Sequence, residues 1–476
     1  MGDAPLLPSA PIPSPPGSAA YLTDLDPPVR AQVRRTMRLT ILEGSFTQVF
    51  LNWTTGSVLV GFMLHLGAAP TELALVSAAP HLSQLASPFA ASLAALLGRR
   101  KALTVTMALA ARLTWLLAAA LPLFALPDAA RPWALIGLVL VSSLFLASHN
   151  TVWTAWMGDV VPERERGRAF GLRTGVMGVV GTAANLGAGA FLDRVGAPLS
   201  FQVVLLVAVI AGLVGAAVVA QQFDPPTAVE RVRWRQLLTL PWRDRGFRRL
   251  LRFTAYWNFV VMLSGPFVTP FYLQELGMSF TQVALAGTIT ALTALVTTPL
   301  WGRVTDRVGH KRVLMLGTFL VGLLLPGGWI VAGLTGSLAW IWATSVADAF
   351  SWGAVRLSAF NLALASAPRA NRVVFIAMLG LATGVSGFLG GALAGPLLLA
   401  LQRVDVTVLG ARPSAYVWLF VVALVLRTQG WWWLRGVPEE GAGRPGLLLR
   451  GPRLGLRGPR LGPRGGWPRR RGALRG

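Results

Sequence analysis

Between Gly302 and Arg312 the chain reads GRVTDRVGHKR, a short charged turn between two apolar runs. The flanking runs, about 280–302 and 313–334, are each long enough to cross a bilayer as a helix, which takes roughly 20 mostly apolar residues. Gly302 and Gly309 permit close helix approach and a tight turn. Asp306 can accept hydrogen bonds from Arg307 or Arg312 and face the N-terminus of a neighbouring helix. Lys311 and Arg312 keep the turn on one side of the membrane. Such a turn can act as a charge latch between two membrane-spanning helices.

Working outward, the same reading extends over most of the chain. Of 476 residues, 54% are hydrophobic and 13% charged, too few charges to clothe a water-soluble globule of this size. Six spans fit before residue 222: Glu43 to Glu72, Glu72 to Arg99, then about 102–126, 132–158, 169–192 and 198–221. Six more follow at about 253–275, 280–302, 313–334, 338–366, 373–401 and 414–434. The fold class read from this pattern is an all-α membrane protein of twelve transmembrane helices in two six-helix halves. With the N-terminus inside, the cytoplasmic loops hold 20 basic residues and the outer loops hold four: Arg131, Arg194, Arg403 and Arg412. That asymmetry places both termini in the cytoplasm. It also accounts for much of the +24 charge without nucleic acid, because 24 of the 43 basic residues sit at the loops between spans.

The two halves repeat one another. LGAAPTELALV at Leu66 matches LGMSFTQVALA at Leu276, and Pro88 and Gly98 match Pro299 and Gly309. Pro162 and Gly178 fall on Pro368 and Gly384. Two such halves around a midplane cavity are the architecture of alternating access. The expected division is a disordered Pro-rich lead (1–38), a six-helix half (39–222), a basic cytoplasmic linker (223–252), a second six-helix half (253–440) and a tail (441–476). That tail carries ten arginines and no acid, with abundant Gly and Pro, and cannot bury a core.

The 302–312 turn resembles the signature loop of the major facilitator superfamily, with its glycine, aspartate, arginine, glycine and basic pair at the expected spacing. The first-half copy is degraded: Ala95 stands where Asp306 does in the second. A second resemblance lies in WMGDVVPERERGRAFGLR, Trp156 to Arg173, after the fourth span. Together they imply a twelve-span transporter of a bacterial cytoplasmic membrane, moving a small-molecule substrate across the lipid bilayer and driven by an ion gradient or by the substrate's own gradient. In that superfamily spans one, four, seven and ten line the cavity. The resemblance thus makes substrate-site candidates of Gln48, Asn52 and Trp53, of His149, Asn150 and Trp153, of Tyr256 and Asn258, and of Trp352 and Arg356.

Ionisable groups inside a bilayer are costly and point to function. Asp348 sits near the middle of span ten and is the expected proton site, with Arg356 eight residues on as its partner and Trp352 between them. Glu43, a turn past Arg38, is a second proton-site candidate placed near the interface. Arg112 and His81, on spans expected to be less central, read as structural. Pro266 and Pro270 interrupt span seven and permit bending there. Glycines crowd spans five and eleven, where helices can pack closely and slide.

Several chemistries are excluded. With no cysteine the chain has no disulfide, thiolate metal site or cysteine nucleophile. No Walker A sequence occurs, and the four scattered histidines form no catalytic or metal cluster, so neither an enzyme nor a cofactor is called for. One central acid with several tryptophans suggests proton-coupled efflux of an amphipathic or cationic molecule. Against that, Thr182 stands where the span-five motif of many drug antiporters has proline. The alternatives are uptake of a polar nutrient, a sugar or amino acid, and a non-transporting membrane sensor.

Overall fold

In the computed structural model, residues 15–225, 234–368, 372–407 and 412–438 are described. Among them the chain is helical throughout, without strands. The first half contains α1 (Pro27–Thr54), α2 (Gly56–His65), α3 (Pro70–Leu82), α4 (Ser87–Leu97), α5 (Arg100–Ala120), α6 (Arg131–Val160), α7 (Arg166–Arg194) and α8 (Leu199–Val219). A short helix, α9 (Trp234–Arg243), leads into the second half. There α10 (Arg245–Ser264) and the single turn α11 (Val268–Pro270) are followed by α12 (Phe280–Val308), α13 (His310–Thr335), α14 (Ala339–Ser366), α15 (Arg372–Leu401), α16 (Ala415–Thr428) and α17 (Gly430–Trp433).

Seven helical stretches among the described residues are long and apolar enough to cross a bilayer by themselves. The other five crossings are broken or carry charge, each for a local reason. Gly56, at φ +58°, separates α1 from α2. Pro80 and Pro88 leave a 3-10 turn, Ser83–Ala86, between α3 and α4. Gly265 and Pro266 end α10, and the chain continues through α11 into a π-helical turn, Phe271–Glu275. The interruption expected from Pro266 and Pro270 is therefore present. The twelfth crossing is divided between α16 and α17, and α14 is long enough but carries Asp348 and Arg356.

Two main clusters of buried residues form the core, one centred in each half, and the first also takes in Phe267, Ala394, Leu398 and Leu419 of the second half. In the first, Phe50, Phe62, Trp115 and Phe201 are buried where α1, α2, α5 and α8 meet. In the second, Trp257, Phe271, Trp329 and Phe420 fill the equivalent space. A buried arginine lies in each half: Arg112 of α5 above the Phe50 ring, and Arg427 of α16 above Trp329. Leucines, valines and phenylalanines such as Phe89, Val179, Leu295 and Phe360 are exposed, as lipid contact requires.

Two helix pairs join the halves, α3 with α15 and α7 with α12. Both are tight at the end opposite the arginine-rich loops. A Cβ on Gly395 would collide with the Thr71 backbone, and one on Gly391 would lie 2.6 Å from Ala78 Cβ. At the other end, a Cβ on Gly167, Gly171, Gly175, Gly178 or Gly380 would meet nothing within 4 Å. The halves thus form a V that opens toward the arginine-rich loops.

Two boundaries differ from expectation. The lead, read as disordered to residue 38, is helical from Pro27, and its preceding turns are pinned to the α6–α7 loop. Arg166 donates to the carbonyls of Val161 (3.0 Å), Gly17 (2.8 Å) and Gly158 (2.6 Å), and Leu22 N donates to Glu165 (3.2 Å). The Arg-Gly-Arg of the second resembling stretch therefore staples the lead to the first half. The seventh crossing also begins at Arg245, inside the stretch read as linker, because Asp244 caps α10 by accepting from Phe247 N at 2.8 Å. Residues 1–14, 226–233 and the tail from 439 onward lie outside the described residues, and with them the expected tail disorder.

Candidate functional site

A cavity of about 330 Å³ lies between the halves, walled by α1, α7 and α12. Gln48 and Asn52 enter it from α1. Arg173, Thr174, Met177, Thr182 and Asn185 come from α7, and Thr288 and Ala291 from α12. Gln48 and Asn52 are one helical turn apart, so their amides meet: Gln48 Nε2 donates to Asn52 Oδ1 at 2.6 Å. Asn52 Nδ2 in turn donates to the Gly181 carbonyl at 2.7 Å. Glycine at 181 leaves room for both amides, since a Cβ there would sit 2.9 Å from Asn52 Nδ2 and 3.0 Å from Gln48 Cγ. The wall is made of amides, hydroxyls and small residues, with one arginine and no aromatic ring.

That arginine is neutralised from behind. Arg173 lies 3.0 Å from Glu43 Oε2, donates to the Thr40 carbonyl at 3.1 Å, and covers the Trp153 ring at 4.5 Å. Glu43 Oε1 accepts from Thr47 Oγ1 at 2.8 Å, and the same hydroxyl accepts from Arg112 at 3.1 Å. The carboxylate is thus held by one guanidinium directly and by another through Thr47. Glu43 is 1% exposed. The early start of α1 puts Glu43 about 24 Å along the helix from Pro27. Arg112, read as structural, is joined to this network as well as being buried.

The second charged group lies in the other half. Asp348 of α14 is half-buried and has no hydrogen-bond or ion-pair partner among the described residues. It is within electrostatic reach of Arg356 and Arg427, and of the Tyr272 hydroxyl. The expected Asp348–Arg356 ion pair is not formed. Arg356 is exposed and turns onto the face of Trp352, 5.8 Å from the ring centroid. Arg427 is fixed by donating to the Val261 carbonyl at 2.9 Å and to Ser264 Oγ at 2.7 Å. Sequence reasoning missed both Arg427 and Arg173. Their signal was an arginine within an apolar run in one case, and at the end of a recognised stretch in the other.

Several expected site residues face into their own half. His149 is 2% exposed, and its Nδ1–H donates to the Thr104 carbonyl at 3.0 Å. Trp53 donates to the Ala184 carbonyl at 2.8 Å, and Trp153 to Gln222 at 3.1 Å. Tyr256 donates to the Leu426 carbonyl at 2.7 Å and stacks on Trp433. Asn258 donates to Thr254 of its own helix at 2.8 Å. Asn150 is exposed but is not part of the cavity wall. In the 302–312 turn, Asp306, Arg307 and Arg312 are exposed and unpaired among the described residues. Lys311 donates to the Arg435 carbonyl at 2.8 Å.

A family model described as the Major Facilitator Superfamily matches residues 43–269 and 258–448. Among solved structures the chain is similar to a nucleoside transporter, NupG, at 12% identity and a TM-score of 0.61, covering 84% of this chain and 98% of that one. It is similar to the xylose transporter XylE from E. coli in its inward-open conformation at 14% identity and a TM-score of 0.59, covering 87% and 97%. A bacterial homologue of the human lysosomal transporter Spinster, inward-facing and occupied, aligns at 17% identity with a TM-score of 0.64, covering 86% and 97%. No curated protein matches the chain in sequence.

Proposed function

The chain belongs to the major facilitator superfamily, and we propose that it is a secondary active transporter that carries a small polar solute by alternating access. The observation that carries this reading is the cavity between α1, α7 and α12, shared by both halves and walled by amides and hydroxyls. Its volume of about 330 Å³ falls within the range of roughly 300–1,000 Å³ of small-molecule sites. Arg173 is already matched by Glu43, so the wall presents hydrogen-bonding groups with little net charge. A hydroxyl- or amide-bearing solute fits that wall by chemistry. Gln48, Asn52 and Asn185 are the residues proposed to read it.

Asp348 is the proposed proton site. Among the described residues it has no fixed partner, yet two arginines are within electrostatic reach, so binding and release of one proton changes the local balance of charge. Glu43, bound by Arg173 and Thr47, is proposed to hold the wall and not to carry the proton. A second reading, proton-coupled export of an amphipathic or cationic molecule, draws on Asp348 with Trp352 one turn away. We place the arginine-rich loops and both termini in the cytoplasm, so that the V opens inward. The test is flux of polar and amphipathic solutes in reconstituted vesicles with an imposed proton gradient. Gradient-driven movement of a sugar, nucleoside or neutral amino acid supports the first reading, and movement of a lipophilic cation alone supports the second.

A further inference from the structure

The α7–α12 pair carries a similar sequence, a glycine and then DRVG, at both ends of its contact. Residues 189–196 of α7 and its loop read GAFLDRVG, and residues 302–309 of α12 and its loop read GRVTDRVG. The two helices are 29 residues each and lie one in each half. In such a pair the C-terminal aspartate of each helix can approach the N-terminus of the other. Only one of these contacts is made. Asp193 Oδ1 accepts from Phe280 N at 2.8 Å and Oδ2 from Thr281 N at 2.8 Å. A carboxylate of the first half thereby caps the first turn of α12 in the second, where unpaired amides and the helix dipole favour negative charge. Gly189 makes the approach possible, since a Cβ there would lie 2.8 Å from the Phe280 carbonyl oxygen.

At the other end the corresponding groups are apart. Asp306 is exposed and unpaired among the described residues, a Cβ on Gly302 would meet nothing within 4 Å, and the N-terminus of α7 has no side-chain cap. We propose that Asp193 is a positioning residue for the transport cycle, the outer counterpart of Asp306. It clamps α12 to α7 while the cavity faces the arginine-rich loops, and releases when Asp306 caps α7 at the opposite end. The proposal rests on the transporter reading for its role in turnover, but the clamp itself is a statement about which end is closed.

The test uses the full-length protein, which has no native cysteine. Ala291→Cys in the cavity wall reports access to a membrane-impermeant thiol reagent added from either side of sealed vesicles. Asp193→Ala is expected to raise the labelling rate from the side of Asp193 about tenfold, and Asp306→Ala to leave that rate unchanged or lower it. Thr281→Pro removes one of the two donors at a first-turn position that tolerates proline. It is expected to raise labelling from the same side, and to add little in combination with Asp193→Ala because both act on one contact. In flux, Asp193→Ala is expected to change turnover more than KM. Unchanged labelling in both Asp193→Ala and Thr281→Pro overturns the clamp, even where flux is normal. Raised labelling with no flux of any solute upholds the clamp and instead removes the transporter reading.

Discussion

Glu43 of α1 and Arg173 of α7 meet at 3.0 Å, with the carboxylate almost wholly buried and the guanidinium at the cavity wall. The pair ties together two helices of one half and cancels the single charge on that wall. Glu43→Gln leaves Arg173 without its anion. Breaking a buried pair from one side costs about 3–5 kcal/mol, so the variant is expected to melt markedly lower in detergent. Arg173→Gln in combination with Glu43→Gln should recover part of that loss. A melting temperature equal to wild type in the single variant contradicts the structural weight given to the pair.

Asp348 should behave differently, because no fixed contact depends on it. Asp348→Asn is expected to keep wild-type expression and melting temperature while abolishing accumulation against a gradient. Solute exchange, which needs no net proton movement, should persist. Gradient-driven accumulation that survives the substitution removes Asp348 from coupling.

At the wall itself, Asn52→Ala deletes the donor to Gly181 and the acceptor for Gln48. One net hydrogen bond contributes about 1 kcal/mol, roughly fivefold in affinity, so KM should rise by that order with turnover little changed. Gly181→Val is expected to be more severe, since its side chain displaces both amides into the cavity. Equal KM values for wild type and Gly181→Val would place the solute elsewhere.

Arg166 supports the ordered lead through three carbonyls. Arg166→Ala is expected to free residues 15–25 and expose Arg30 to trypsin, accelerating cleavage there several-fold while transport continues. Cleavage at the wild-type rate contradicts the staple.

The sequence made the helices legible, and their depth and rotation much less so. Spans were readable because a run of twenty apolar residues has few alternatives, and the break in the seventh crossing followed from Pro266 and Pro270. Burial was less so: Arg38, a turn before Glu43, gave no sign that Glu43 is enclosed by Arg173 and Thr47. Rotation was harder: where every face of a helix is apolar, periodicity marks no inward side. His149, Trp53 and Tyr256 lie on spans that the resemblance puts at the cavity, and their side chains bond within their own halves. Gln48 and Asn52, one turn apart on α1, were identified and do line the cavity. Arg427 was hidden because an arginine near the end of an apolar run also serves as a topology signal. Asp193 was legible in principle, as the DRVG it begins repeats that of Asp306.

A small polar solute is proposed to cross through the cavity between the halves. The most direct measurement is uptake of radiolabelled pentose, hexose, nucleoside and neutral amino acid into proteoliposomes, with and without an imposed proton gradient, for wild type and Gly181→Val. Wild type is expected to accumulate at least one of these under the gradient, and Gly181→Val to lose that accumulation. Folded wild-type protein that moves none of them, in either direction and under either condition, would contradict the proposal.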